Sequence, residues 1–237
     1  MNKKTVALEM SDYRKIIECM VNGFTYTDTE GKEHKFRKNR QLAMICQTEA
    51  SMGLRISDIL NLKLDSIRKD GGRYALNIVE QKTQKARNFT VPKELYIALR
   101  DYADDNSIKK SEPLFQITER AAQKQLKIIA DYLGIEGIST HSFRKCFARN
   151  AYESNDCDIE LVRQLLQHSS TTVTQRYIGV STKRIEAALQ GTVDTFLFAR
   201  PSGAEQAPFS ISGRCQGGKL TNGKIGRQGG EPLYLLG

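Results

Sequence analysis

The chain has 237 residues, 39% of them hydrophobic, which is enough for one large buried core or two small ones. No apolar run reaches the roughly 18 residues of a membrane span, and the amino end lacks the apolar segment and cleavage site of a secretory leader, so a cytoplasmic location with no membrane partner is expected. The five cysteines (Cys19, Cys46, Cys146, Cys157 and Cys215) are odd in number and never form a C-x-x-C pair, which argues against a disulfide framework or a zinc site, while a net charge of +9 points to a polyanionic partner, nucleic acid before a membrane surface.

Tyr13, Ile16, Ile17 and Met20 at helical spacing predict a helix over residues 10 to 22. A polar stretch with Asp28 and Gly31 follows, then a second helical segment from about Lys38 to Met52, with Gly53 as its stop. Lys32, Lys35, Arg37, Lys38 and Arg40 form one basic cluster and Lys82 to Arg87 another, both suited to phosphate contacts from a folded surface. His34, within the first cluster, reads as a surface residue. Ser57 is placed to cap a short helix through Ile59, Leu60 and Leu62, which leaves Arg55 in the tight Gly53-Leu54-Arg55-Ile56 connection.

From Arg73 to Val91 the pattern changes to alternation, with Tyr74, Leu76 and Ile78 on one face and Phe89 and Val91 after a polar tract. This predicts a β-hairpin with a basic tip, closed by Pro92. Helices follow at about 93 to 104 and 118 to 133, the second capped by Thr118 and stopped by Gly134. After Thr140 a helix with the apolar stripe Phe143, Phe147 and Ala151 carries His141 and Arg144 at its amino end. Asp158 caps the next helix, whose Leu161, Val162, Leu165 and Leu166 read as core packing and not as a ligand groove, and His168 sits where it ends. Ser170 or Thr171 starts a last short helix carrying Tyr177, ended near Gly179. Beyond Arg200 the Gly, Ser, Gln and Pro composition reads as a flexible tail.

Three segments carry chemistry together: Gly53-Leu54-Arg55-Ile56-Ser57-Asp58-Ile59-Leu60, His141-Ser142-Phe143-Arg144, and Leu165-Leu166-Gln167-His168-Ser169-Ser170 leading to Tyr177. In residue type, order and spacing they resemble the tyrosine recombinase family, which includes phage integrases and chromosome-dimer resolvases, over roughly residues 8 to 190. Each motif alone is an ordinary capped helix, polar pair or packed tyrosine. Their conjunction is specific. The resemblance implies an α+β, mainly α catalytic fold, expected over residues 1–199 with a small antiparallel hairpin at about 73–91 and the tail over 200–237 beyond it; the amino-terminal DNA-clamping domain usual in the family is not expected as a separate domain here.

The chemistry explains the residue types. A DNA phosphodiester is anionic and very slow to react, so its non-bridging oxygens need neutralising and its two apical oxygens need proton transfer. The planar forks of Arg55 and Arg144 suit the first task, gripping one phosphate from distant parts of the sequence. A phenol is almost wholly protonated at neutral pH, so Tyr177 needs a base or cationic neighbours to attack. By the resemblance, His141 takes or shares that proton, His168 hydrogen-bonds a phosphate oxygen, and a hairpin lysine protonates the leaving 5′ oxygen. Lys82 is the matching position, with Lys85 in the same turn as its rival. Asp58 is expected to support Arg55 or the helix cap, and Cys146 to be a buried structural thiol.

The implied reaction passes through a 3′-phosphotyrosyl intermediate and needs no cofactor, metal or ATP, because the phosphodiester energy stays in the covalent bond. Double-stranded DNA is the expected partner, with a homotetramer assembled on it and accessory DNA-bending proteins as further candidates. The apolar stretch from Ile185 to Phe198 fits either a seat on a neighbouring subunit or packing on its own domain. Since only about 35 residues precede the helix leading to Arg55, weak and salt-dependent DNA binding is expected of the chain alone. Type IB topoisomerase-like relaxation and a non-catalytic DNA-binding remnant are the alternatives.

Overall fold

The computed structural model describes residues 5–178 and Leu189, so the expectations for residues 185–198 and 200–237 lie outside the described residues. It opens with α1 (Met10–Asn22), followed by an antiparallel pair the sequence reading missed, β1 (Phe24–Thr27) with β2 (Glu33–Phe36). These strands are four residues long, and their aromatic side chains are held by distant partners: Phe24 stacks on Phe36 at 5.0 Å and on Tyr132 at 4.1 Å. His34 is not simply a surface residue, for its Nε2 lies 2.6 Å from Asp28 Oδ2 and its ring stacks on Tyr26.

The central helix α2 (Arg40–Met52) is capped by Asn39, whose side chain accepts from Leu42 N, and ends at Gly53 in the left-handed region. The next helix, α3 (Ile56–Leu60), has Arg55 at its N-cap, so Ser57 lies inside the helix and does not cap it. The hairpin β4 (Arg73–Val79) and β5 (Ala86–Val91) forms as expected, and β3 (Ile67–Asp70) widens it to three antiparallel strands in the order β3-β4-β5. α4 (Lys93–Asp105), α5 (Glu119–Leu133), α6 (Thr140–Glu153), α7 (Ile159–Leu166) and α8 (Thr171–Ile178) complete the order. Thr118 caps α5 and Asp158 caps α7 through backbone N–H groups, as their sequence positions predict.

α2 lies between two cores. On one side Ile45 and Met52 join Leu54, Ile59, Leu76, Val91 and Leu99 under the three-stranded sheet and α4. On the other, Leu42 and Cys46 pack with Ile16, Met20, Leu126, Ile129 and Phe143 of α1, α5 and α6. A third, smaller cluster of Ala148, Ala151, Val162, Leu166 and Ile178 ties α6 to α7 and α8, with Tyr177 packed against it. No helix among the described residues is long and apolar enough to cross a membrane.

Candidate active site

Four connections and helix ends converge on one cleft of 530 Å³, lined among others by Arg55, Lys82, Lys85, Glu119, His141, His168 and Tyr177. Gly53 turns the chain out of α2 at φ +58°, and a Cβ there would sit 2.3 Å from the Phe147 ring, so only glycine lets α2 and α6 approach this closely. That turn sets Arg55 at the edge of the cleft. The hairpin turn between β4 and β5 brings Lys82 and Lys85, the amino end of α6 brings His141, and the α7–α8 connection brings His168 above Tyr177. Five of the six expected catalytic residues line the cleft, as does the rival lysine.

Arg144 is the exception. Its side chain has no exposed surface and lies under the cleft, donating from Nη1 to Gly53 O and from Nη2 to Leu166 O at 2.9 Å. Nη2 also comes within 3.5 Å of His168 Nε2, and the guanidinium carbon is 5.9 Å from the centre of the Tyr177 ring. Burial, then the neighbouring Arg55 and Arg87, pull its pKa down to about 10, which still leaves it charged. Nearby Glu49 is wholly buried with neither carboxyl oxygen hydrogen-bonded, and burial pushes its pKa well up against the opposing pull of Arg144.

The two histidines differ from free imidazole in the same direction. Burial, then the charge of Arg144, lowers the pKa of His141; Lys82 and Arg55 act in the same sense. His168 is pulled further, to about 4, by burial and then by Arg144 and Arg55. Both are neutral at pH 7, and a neutral imidazole can accept a proton. The His168 and Tyr177 rings lie 4.6 Å apart, and Lys145 Nζ is 5.9 Å from the Tyr177 ring centre.

Glu80, central to this geometry, escaped the sequence reading, and Arg87, read there as part of a surface cluster for phosphate contacts, is buried against it instead. Glu80 is fully buried, and its Oε1 accepts from Arg87 Nη1 at 2.7 Å while Oε2 accepts from Thr83 Oγ1 at 2.7 Å and from Arg55 Nη1. Arg87, also buried, donates onward from Nη2 to Met52 O at 3.2 Å and Leu165 O at 2.7 Å. Burial raises the pKa of Glu80, but the hydrogen bonds from Arg87, Thr83 and Arg55 outweigh it, and the carboxyl stays below its ordinary range. The signal was parity: Glu80 continues the inward face of Leu76 and Ile78, and Arg87 shares that of Phe89 and Val91, so charges there demand partners. Asp58 does not serve Arg55 or the cap; its Oδ1 accepts from Gln81 N at 2.9 Å and so holds the hairpin turn. Cys146 is buried with a raised pKa, as expected of a structural thiol.

A second cavity of 460 Å³, lined by Met52, Phe89, Pro92, Phe147, Leu161 and Leu165 among others, corrects the reading of the α7 stripe. Val162 and Leu166 are core, but Leu161 and Leu165 face this groove.

Comparison with known proteins agrees with the geometry. The phage integrase family matches residues 8–184. The chain is 31% identical over 166 residues to the probable integrase/recombinase YoeC of Bacillus subtilis, covering 67% of this chain and 88% of that protein. It is 29% identical over 145 residues to the tyrosine recombinase XerA of Pyrococcus furiosus, of which it spans 50%. The fold is shared with the XerH site-specific recombinase bound to a palindromic difH substrate in a post-cleavage complex (TM-score 0.59, 21% identity, 80% of this chain and 54% of that one). It is shared too with the catalytic domain of bacteriophage HP1 integrase (TM-score 0.53, 19% identity, 81% of this chain and 98% of that one). The chain belongs to the phage integrase family, and the matched residues correspond to a tyrosine recombinase catalytic domain.

Proposed function

We propose that this chain cleaves and rejoins double-stranded DNA at a specific site, in integration or recombination, with Tyr177 as the nucleophile. The observation that carries this reading is the meeting of Arg55, Lys82, His141, His168 and Tyr177 at one cleft with Arg144 beneath it. The Tyr177 oxygen attacks the scissile phosphorus and the bond to the 5′ oxygen breaks, leaving a 3′-phosphotyrosyl link and a 5′ hydroxyl. Arg55 meets the phosphate oxygens, and the buried charge of Arg144 favours the negative charge that develops around them. His141, neutral at pH 7, takes the phenol proton. His168 faces the phosphate, and Lys82 gives a proton to the leaving oxygen; Lys85 is the alternative donor. Attack by a 5′ hydroxyl of a second duplex reverses the step and exchanges strands.

Exchange between two duplexes requires several copies of the chain, and we infer a homotetramer on DNA. The apolar groove at Met52, Phe89, Phe147 and Leu165 supports this, since the apolar stretch 185–198 of a neighbouring copy has the composition to fill it. Accessory DNA-bending proteins would act at this assembly step, in the cytoplasm where such DNA is found.

The test uses the full chain, a pool of nicked duplexes randomised around the cleavage position, and a chelator. A protein–DNA adduct stable on a denaturing gel is expected from the wild type and none from Tyr177→Phe. An adduct that persists in Tyr177→Phe overturns the assignment, and its absence in the wild type overturns the reading. The complete catalytic set speaks against a non-catalytic remnant; relaxation of a supercoiled plasmid without strand exchange would favour topoisomerase-like activity.

A further inference from the structure

Glu80 joins parts of the cleft that the reaction uses separately. We propose that it is a positioning residue that seats Arg55 and the lysine-bearing hairpin turn as a single unit, an inference that rests on the strand-transfer reading of this cleft. An ionised carboxylate with no exposed surface is costly unless every lone pair is used, and neutralising Arg87 alone would occupy only one of its oxygens. The second oxygen is shared by the Arg55 guanidinium, from the α2–α3 connection, and the Thr83 hydroxyl, from the turn next to Lys82.

The backbone of Glu80 closes the same turn, its N–H donating to Lys85 O at 3.0 Å and its carbonyl accepting from Gln84 N at 2.9 Å. Arg87 then fixes the carboxylate to the ends of α2 and α7 through Met52 O and Leu165 O. Gln167 Nε2 adds a bond to Ala86 O at 3.1 Å, which holds β5 to the connection carrying His168. A movement of the turn that displaces Lys82 therefore pulls on the carboxylate that orients Arg55. Asp58, on α3 beside Arg55, makes a further side-chain link to the turn, accepting from Gln81 N.

Glu80→Gln keeps the shape but turns one acceptor into a donor facing a guanidinium or a hydroxyl. The expected outcome is a single-turnover rate of adduct formation lower by about 10–100-fold, the cost of a small misplacement of reacting groups, with affinity for the same duplex changed by less than about threefold. The duplex is one recovered as an adduct with the wild-type chain, so a wild type that yields no adduct counts against the strand-transfer reading and not against Glu80.

A second substrate separates the two groups. When sulfur replaces the 5′ bridging oxygen at the scissile phosphate, the leaving thiolate needs no proton and Lys82 no longer matters. On this substrate the Glu80→Gln defect is expected to shrink by at least about threefold yet persist, because Arg55 is still displaced. An equal defect on both substrates, its complete disappearance on the sulfur substrate, or wild-type rates on both overturn the proposal. Should Glu80→Gln fail to fold, Thr83→Val removes only the hydroxyl from the turn side of the carboxylate. It is expected to be slow on the oxygen substrate and less slow, though still below the wild type, on the sulfur one, and wild-type rates on the oxygen substrate overturn the proposal.

Discussion

His168 lies between an arginine that can only donate and a threonine hydroxyl that can do both. Nε2 therefore accepts on the Arg144 side, and Nδ1–H donates to Thr174 Oγ1 at 3.1 Å, whose hydroxyl donates to Ser170 O at 3.3 Å. This arrangement requires a neutral ring, in accord with its pKa of about 4. An unfolded chain titrates its histidines near 6.5, so between these values the unfolded state binds the extra proton and folding loses stability as pH falls from 6.5 through 4. Urea unfolding of the wild type at pH 7 and pH 5 should show this loss, and His168→Gln should lose less over the same interval. An identical loss in the variant would mean that His168 is not held neutral. His168 and Thr174 are six residues apart and their pairing follows from the turn between α7 and α8, whereas the approach of Arg144, twenty-four residues away, depends on how α6 packs.

Among the elements, the α2–α3 connection matters most because it sets both the packing of α6 and the position of Arg55. Gly53→Ala combines a left-handed backbone with a Cβ 2.3 Å from the edge of the Phe147 ring, and a loss of about 2–4 kcal/mol is expected in chemical denaturation. A loss under about 0.5 kcal/mol would show that α6 yields easily at this point. The stop at Gly53 was legible in the sequence, as were the caps at Thr118 and Asp158, because each is local chemistry of a helix end. The β1–β2 pair was not legible: its strands have polar faces, and Phe24 is held by Tyr132 from a distant helix. β3 escaped for a similar reason, since Ile67 is its only buried residue and one residue makes no period. Ser57 looked like a cap by type, but the chain enters α3 two residues earlier, with Arg55 at the N-cap and its guanidinium paired with Glu80.

For the molecule as a whole, the charge of +9 places the cleft cations in a positive field that attracts DNA before any base is read. With Arg55, Lys82 and Lys85 at the cleft, affinity for duplex DNA should fall about 10–100-fold between about 50 and 200 mM salt, the loss for roughly three neutralised phosphates. A titration showing no salt dependence would place the binding surface elsewhere. The sequence by itself determined the helix ends, the spacing of Arg55, His141, Arg144, His168 and Tyr177, and with them the family, because these are matters of residue type at short range. Only the tertiary structure decided that Arg144 lies beneath the cleft and that Glu80, buried against Arg55, Arg87 and Thr83, ties the hairpin to the α2–α3 connection. The reason is physical: a charge withdrawn from water must find its partners, and those partners come from whichever elements packing brings alongside.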